Sequence, residues 1–362
     1  MRLRGVTLVY GPPGAGKTTF AAHYVYHNYD KVFWVSAFED EATFRSNMSA
    51  LGYNFGEELV YWEAPLADPE PFFDTLVNSV IKERPGALVI DSITEFLGNG
   101  NIDIIHNVVY RVIKQSGIDV FVTAEKEVAE KVAYVADNVI ELVYDVRPYG
   151  AYREMVVRKI RGGRAGYAVP YIITEGLGFV LFKTEPSEAK PTEPIETGTC
   201  LDIAAGGLYR GVLHAVVGHM GSGKTWLMLK AANSLAQRGK KVAFISIMAG
   251  GQVYAGKFGV PAVGVDPNLE ELLTHLYKMT GEKYDAVFIR GLELMKTMYG
   301  KESLYVFLKV LHNIAKRGTA FVISLRSVED FDMFFDVIVE TKRGVINAAR
   351  APGGQVGVDV QC

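Results

Sequence analysis

The sequence predicts an α/β protein of two tandem domains, each a mainly parallel β-sheet flanked by helices, with antiparallel strands added at its edge. Three observations carry this. The pattern G-x-x-x-x-G-K-[ST], a phosphate-binding loop that joins a strand to a helix, occurs twice, as GPPGAGKT (Gly11–Thr18) and GHMGSGKT (Gly218–Thr225). Short apolar runs such as ALVI, VFVT and AVFI alternate with longer helical patterns. Being continuous rather than alternating, they mark strands buried on both faces. The same order of elements recurs in both halves, the mark of a duplication.

Each element has its counterpart. RGVTLVYG (Arg4–Gly11) and RGVLHAVVG (Arg210–Gly218) are the strands that deliver the loops, and TTFAAHYVYH and TWLMLKAANSLAQ are the helices that leave them. KVFWVSAFED (Lys31–Asp40) matches KVAFISIMAG (Lys241–Gly250), and PGALVIDSIT (Pro85–Thr94) matches YDAVFIRGLE (Tyr284–Glu293). DVFVTAEK (Asp119–Lys126) matches TAFVISLR (Thr319–Arg326). Late in the first half, NVIELVYDV, YREMVVRKIRG and GFVLF read as antiparallel edge strands. Between the halves, KTEPSEAKPTEPIETG (Lys183–Gly198) spaces proline and glutamate without an apolar face, as an exposed semi-extended linker does. The expected organisation is a first domain over 1–184, a linker over 185–197 and a second domain over 198–362.

Composition bounds the function. The 362 residues are 49% hydrophobic and 22% charged, with a net charge of −3, which fits a soluble globular protein better than a nucleic-acid coat. Cys200 and Cys362 have no ligand spacing and read as two ordinary thiols of a reducing, cytoplasmic compartment. The apolar run near the start is too short for a signal peptide, and no stretch reaches the ~18 apolar residues of a membrane span.

In the first loop, Gly11, Pro12, Pro13, Gly14, Ala15 and Gly16 form the backbone cradle, and Thr19 follows in the first helical turn. Glycines let the N–H groups and the helix start face phosphate oxygens. Lys17 supplies a point charge to the terminal phosphates, and Thr18 supplies a hydroxyl ligand for Mg²⁺. Asp91, ending ALVID, is the matching Mg²⁺ carboxylate, directly or through water. Its alternative role is to cap the next helix. Ser92 and Thr94 follow it and are placed to polarise a bound water. Glu39, in FEDE after the second strand, is the candidate base that orients the attacking water, with Asp40 beside it. The competing reading makes these acids the start of the next helix, which suits Asp40 and Glu41.

Together these residues resemble the RecA superfamily, and within it the KaiC-like and RadA-like ATPases of archaea and bacteria. FED after the second strand, DNVIEL (Asp137–Leu142), the K-x-R-G of Lys159, Arg161 and Gly162, and LDIAAGGLYRG (Leu201–Gly211) all carry the likeness. The resemblance implies RecA-like domains that bind ATP and ADP, with Mg²⁺, and self-associate in a ring or filament. It implies that Lys159 and Arg161 reach the terminal phosphate of a neighbouring subunit. Their alternative is a basic edge facing solvent or nucleic acid, joined by Arg158 and Arg164. The first half lacks the L-D-x-x-L-G-G-G segment of the family, and the second half has no Ser-Thr phosphorylation pair, so no clock activity is implied.

The second half keeps the cradle and loses the acids. Gly218, Gly221, Ser222, Gly223, Lys224, Thr225 and Trp226 are its candidate nucleotide contacts. Ala249 and Gly250 stand where Glu39 and Asp40 stand, and Arg290 stands where Asp91 stands. A guanidinium ~5 Å from Mg²⁺ at an effective dielectric near 20 is repelled by roughly 6 kcal/mol. The expectation is a slow ATPase whose first domain hydrolyses ATP and whose degenerate second domain holds nucleotide and regulates or assembles. The alternatives are a single-stranded-DNA-binding recombination accessory protein that uses ATP as an assembly ligand, and a scaffold with negligible turnover.

Overall fold

The computed structural model describes residues 2–64, 69–97, 117–183, 193–247 and 250–362. They form two compact units, Met1–Val146 with Tyr152–Leu181, and Arg147–Ala151 with Phe182–Cys362.

The first unit is built on a nine-stranded sheet in the order β3-β2-β4-β5-β1-β6-β7-β8-β9. Its strands are β1 (Val6–Tyr10), β2 (Val32–Ser36), β3 (Leu59–Glu63), β4 (Ala87–Asp91), β5 (Asp119–Ala124), β6 (Asn138–Arg147), β7 (Gly150–Ile160), β8 (Tyr167–Thr174) and β9 (Gly178–Leu181). The continuous apolar runs are buried on both sides. Leu88 and Ile90 of β4 enter one apolar layer and Ala87 and Val89 the other. One layer is closed by α1 (Lys17–Asn28) and α2 (Glu41–Ala50) through Phe20, Val25, Phe44 and Met48. The opposite layer is closed by α3 (Pro69–Glu83) and α4 (Lys126–Ala133) through Phe73, Leu76, Ala129 and Val132.

The second unit has eight strands in the order β12-β11-β13-β14-β10-β15-β16-β17, the order of the first unit less its last strand. They are β10 (Leu213–Val217), β11 (Val242–Ile247), β12 (Ala262–Val265), β13 (Ala286–Arg290), β14 (Ala320–Leu325), β15 (Val337–Lys342), β16 (Val345–Arg350) and β17 (Asp359–Gln361). Its helices are α5 (Cys200–Ala205), α6 (Lys224–Gln237), α7 (Gly251–Lys257), α8 (Leu269–Gly281), α9 (Glu293–Tyr299) and α10 (Lys301–Ala315). In both units the strand that delivers the glycine loop lies inside the sheet, paired in parallel on each side. No helix among the described residues is long and apolar enough to cross a membrane.

The structure corrects three expectations. NVIELVYDV is not an antiparallel edge strand: β6 pairs with β1 in parallel, Thr7 opposite Asn138 and Tyr10 opposite Glu141. The crossover through α4 returns the chain in the direction of β1, as parallel pairing requires. Antiparallel pairing is seen at β7–β8 and β8–β9, where β8 carries Pro170, a residue that masks a strand in sequence. Secondly, the expected linker is not exposed to its end. Residues 184–192 lie outside the described residues, but Ile195 exchanges backbone hydrogen bonds with Leu208, and Thr197 is buried with its hydroxyl on Asp202.

Thirdly, Cys200 and Cys362 are not separate thiols; they form a disulfide with Cα atoms 5.4 Å apart. Folding makes this pair, because β17 pairs with β16 and packs on α5, where Cys200 is the first residue. The bridge closes a loop across 162 residues, which removes many conformations from the unfolded chain. Reduction, or Cys362→Ser, is expected to destabilise the second unit by about 2–4 kcal/mol, read as a lower melting temperature with reductant than without. An identical melt in both buffers would show that the bridge contributes nothing.

Candidate functional site

β1 ends at Tyr10 and α1 begins at Lys17, so six residues must turn the chain back on itself. Gly14 and Gly16 do this in the left-handed region, at φ 79° and 84°. A Cβ on Gly16 would lie 2.3 Å from Ile173 Cδ1. The turn is tied by the Ala15 N–H to the Pro12 carbonyl at 3.2 Å, and the Tyr171 hydroxyl donates to the Ala15 carbonyl at 2.6 Å. Pro13 is exposed at the rim, and Thr19 is half-buried in the first turn of α1. Lys17 Nζ folds back over the loop, donating to the carbonyls of Gly11 (2.9 Å) and Pro12 (3.2 Å).

Asp91 ends β4, one strand beyond β5 from the loop strand. Its carboxylate accepts a hydrogen bond from the Thr123 hydroxyl, and the Thr18 hydroxyl stands close enough to favour its charge. Burial holds its carboxyl above the ordinary aspartate range, while the two hydroxyls and the charge of Lys17 pull it back. The fold thus brings Thr18 and Asp91 together, a hydroxyl and a carboxylate suited to sharing Mg²⁺. Among the described residues no cluster of three or more His, Cys, Asp or Glu forms a self-sufficient metal cage. Mg²⁺ at a phosphate site needs only one or two such protein ligands.

Glu39 follows β2, whose last residue, Ser36, lies beside Asp91. The Ser36 hydroxyl accepts from the Glu39 N–H at 3.0 Å, and the Tyr61 hydroxyl donates to the Glu39 carbonyl at 2.7 Å. Burial lifts the Glu39 carboxyl above the usual glutamate range; the Asn47 amide opposes this, and the charges of Asp91 and Asp40 add to it. Asp40 is the N-cap of α2, accepting from the Thr43 N–H at 2.9 Å, which holds its carboxyl low. The helix-start reading therefore describes Asp40, while the Glu39 carboxylate accepts from the Asn47 amide of α2 at 2.5 Å. Ser92 and Thr94 are used internally: the Ser92 hydroxyl accepts from the Thr94 N–H, and the Thr94 hydroxyl accepts from the Glu125 N–H.

Sequence reasoning misses Glu125. It directly follows β5, and its Oε1 lies 2.7 Å from Lys17 Nζ. The signal was its place at the carboxyl end of a strand neighbouring the loop strand, where α/β ligand sites are built.

Lys159 and Arg161 are not brought to this cradle. β7 runs back toward the amino end of β1, so Arg161, whose N–H reaches the Asp137 carbonyl, lies about a strand length, ~15 Å, from the loop, while Lys159 lines a cavity with Tyr10 and Lys126. Lys159 Nζ caps the carboxyl end of α4 through the carbonyls of Ala133 and Ala136. Arg161 is exposed and pairs with Asp137 at 2.6 Å, and Asp137 also accepts the Val6 N–H. Arg158 pairs with Glu141.

The second cradle repeats the first in backbone and departs from it in charge. Gly221 and Gly223 take φ values of 79° and 103°, and Lys224 Nζ donates to the carbonyls of Gly218 and His219. The Ser222 hydroxyl is buried against Thr341 at 2.7 Å. Trp226 is half exposed, with Lys230 Nζ 4.6 Å from its ring centre. Strand register fixes the equivalences: Ser36 pairs with Asp91 as Ser246 pairs with Arg290. Val9 pairs with Thr123 as Val216 pairs with Ser324, so Glu125 corresponds to Arg326. The ungapped match of the two strings is therefore off by one residue at this strand. Ala249 lies outside the described residues, and Gly250 precedes α7. Lys224, Arg290, Glu293, Ser324 and Arg326 line one cavity of about 640 Å³. Asp285 is held by Arg210. Glu293 accepts the Arg326 N–H, and among the described residues no carboxylate forms an ion pair with Arg290.

A glycine cradle on the central strand, a lysine folded over it and a hydroxyl–carboxylate pair beside it are the parts of a nucleotide-hydrolysing site. The family model described as "ATPase: KaiC" matches residues 1–185. A search of the curated proteins returned no match. With fold, cradle and family model in agreement, the chain belongs to the KaiC ATPases, a family of P-loop ATPases in the RecA superfamily.

Proposed function

We propose that the first unit is a slow Mg²⁺-dependent ATP hydrolase and that the second holds nucleotide without turning it over, serving regulation or assembly. One observation carries this: the strand end beside the cradle bears Asp91, with Thr18 near it, in the first unit and Arg290 in the second. The shared strand order supports descent of the two units by duplication. Bound Mg²⁺, held by Thr18 and Asp91, would screen the phosphate charge as the terminal phosphate leaves. Lys17 neutralises the terminal oxygens once it releases Glu125. Glu39 orients the attacking water and draws off its proton, a role suited by a carboxyl already lifted above the usual range.

ATP and ADP are the ligands, and self-association is common in this family. Because Arg161 sits at the other end of the sheet from its own cradle and Lys159 Nζ is engaged by the Ala133 and Ala136 carbonyls, these residues serve catalysis by reaching the cradle of another copy. Arg161, exposed and held by a single carboxylate, is the freer of the two. The DNA-binding reading gains nothing here, since Arg158 and Arg161 of the basic stretch are paired with Glu141 and Asp137.

Glu39→Gln is expected to cut turnover at least a hundredfold with ATP affinity kept, the range of a lost general base. In the wild type the rising limb of turnover with pH should lie above the ordinary glutamate value, since the base works only when deprotonated. Lys224→Ala should leave turnover within about twofold; a collapse comparable to that of Glu39→Gln would place the chemistry in the second unit. Glu125→Gln, which removes the competitor for Lys17, is expected to tighten ATP about threefold to tenfold by calorimetry, a tenfold change being 1.4 kcal/mol. Weaker binding in this variant would overturn the proposed competition. For the trans role, Arg161→Ala chains mixed with Lys17→Ala chains should recover part of the activity each lacks alone, and two inert partners that stay inert when mixed would exclude it.

A further inference from the structure

The two cradles carry opposite charge. Beside Lys17 stand Asp91 and Glu125, two carboxylates against one cation. Around Lys224 stand Arg290, Arg326 and Glu293, three cations against one carboxylate, all lining the same cavity. Two replacements in register produce the inversion, Asp91 by Arg290 and Glu125 by Arg326. The backbone that receives phosphate is otherwise kept, down to the left-handed pair of glycines.

We propose that the second cradle is a metal-independent site for a polyphosphate tail, in which Arg290 and Arg326 take the charge-neutralising place that Mg²⁺ holds in the first. This rests on the reading above that the second unit retains its ligand. A divalent cation does not fit beside Arg290, because the carboxylate that would hold it is gone and a fixed positive charge stands in its place. Guanidinium groups suit the task otherwise: they are always charged, and their planar fork meets two phosphate oxygens at once. No described carboxylate pairs with Arg290, and its guanidinium carbon lies 6.0 Å from the Tyr254 ring centre, the outer reach of a cation–π contact, which an anion would outcompete. The three cations crowd one cavity: burial lowers the Lys224 ammonium from the usual lysine range, the charge of Glu293 opposes this, and that of Arg326 adds to it. An arriving anion relieves that crowding. Glu293 is the counter-charge of the ring: it holds the Arg326 N–H, and Lys224 and Arg326 act on its carboxyl. Mg²⁺ is then an antagonist here, because it lowers the negative charge of the nucleotide that the three cations attract.

The test uses the full chain carrying Lys17→Ala, which removes the first cradle's lysine, and titrates ATP and inorganic tripolyphosphate by calorimetry in EDTA and in Mg²⁺. The proposal expects ATP to bind at least as tightly in EDTA as in Mg²⁺. It expects Arg290→Ala to lose about tenfold or more in EDTA, the worth of one charge-assisted bond. Arg290→Lys, which keeps the charge, should retain most of the affinity and so separates lost charge from lost folding. Tripolyphosphate binding as tightly as ATP supports the same site and identifies free polyphosphate as its source, whereas binding restricted to ATP identifies a nucleotide. Binding that requires Mg²⁺, or an unchanged Arg290→Ala variant, overturns metal independence and leaves nucleotide retention standing. Absence of binding by either probe in both buffers overturns this inference together with the reading of the second unit on which it rests.

Discussion

The charge at the carboxyl end of one buried strand governs what each half of this protein can do. β4 and β13 occupy the same place in the same strand order, and their last residues project beside a phosphate cradle. Taking a bare charge out of water is costly, so whatever stands there must be paired, solvated or matched by a ligand. Asp91 is matched by two hydroxyls and a lysine. Arg290 has no described carboxylate partner, which makes an anion its natural complement.

The same logic extends outward from that residue. In the first unit the surplus of carboxylates invites a cation, and Lys17 meanwhile is divided between loop carbonyls and Glu125. Each of these contacts must loosen before the lysine reaches a phosphate. Ligand binding at this cradle exchanges one set of charge-assisted bonds for another. In the second unit the surplus is positive and the only carboxylate in the cavity is Glu293. One fold therefore supports two electrostatic regimes, which agrees with function residing in sites rather than in architecture.

Geometry also separates groups that a motif list would place together. Lys159 and Arg161 belong to the same sheet as the cradle, yet the return of β7 carries Arg161 to its opposite end, beside Asp137, and Lys159 Nζ turns to the carbonyls of Ala133 and Ala136. The disulfide between Cys200 and Cys362 is a comparable product of folding, joining residues that no sequence spacing suggests.

By itself the sequence determined the architecture and the chemical contrast. Two glycine loops, buried apolar runs and the pairs Lys17/Lys224, Thr18/Thr225 and Asp91/Arg290 are legible because they depend on local spacing and on strand burial, both periodic in the chain. Glu39 and Asp40 are adjacent acids with different fates, and only the helix cap on Thr43 tells them apart. Tertiary structure alone decided that β6 runs parallel to β1, that Glu125 meets Lys17 across 108 residues, and that its counterpart is Arg326 rather than Leu325. The physical reason is that strand direction and register are set by crossovers and by pairing across the sheet. Neither quantity is written in the spacing of residues along one strand.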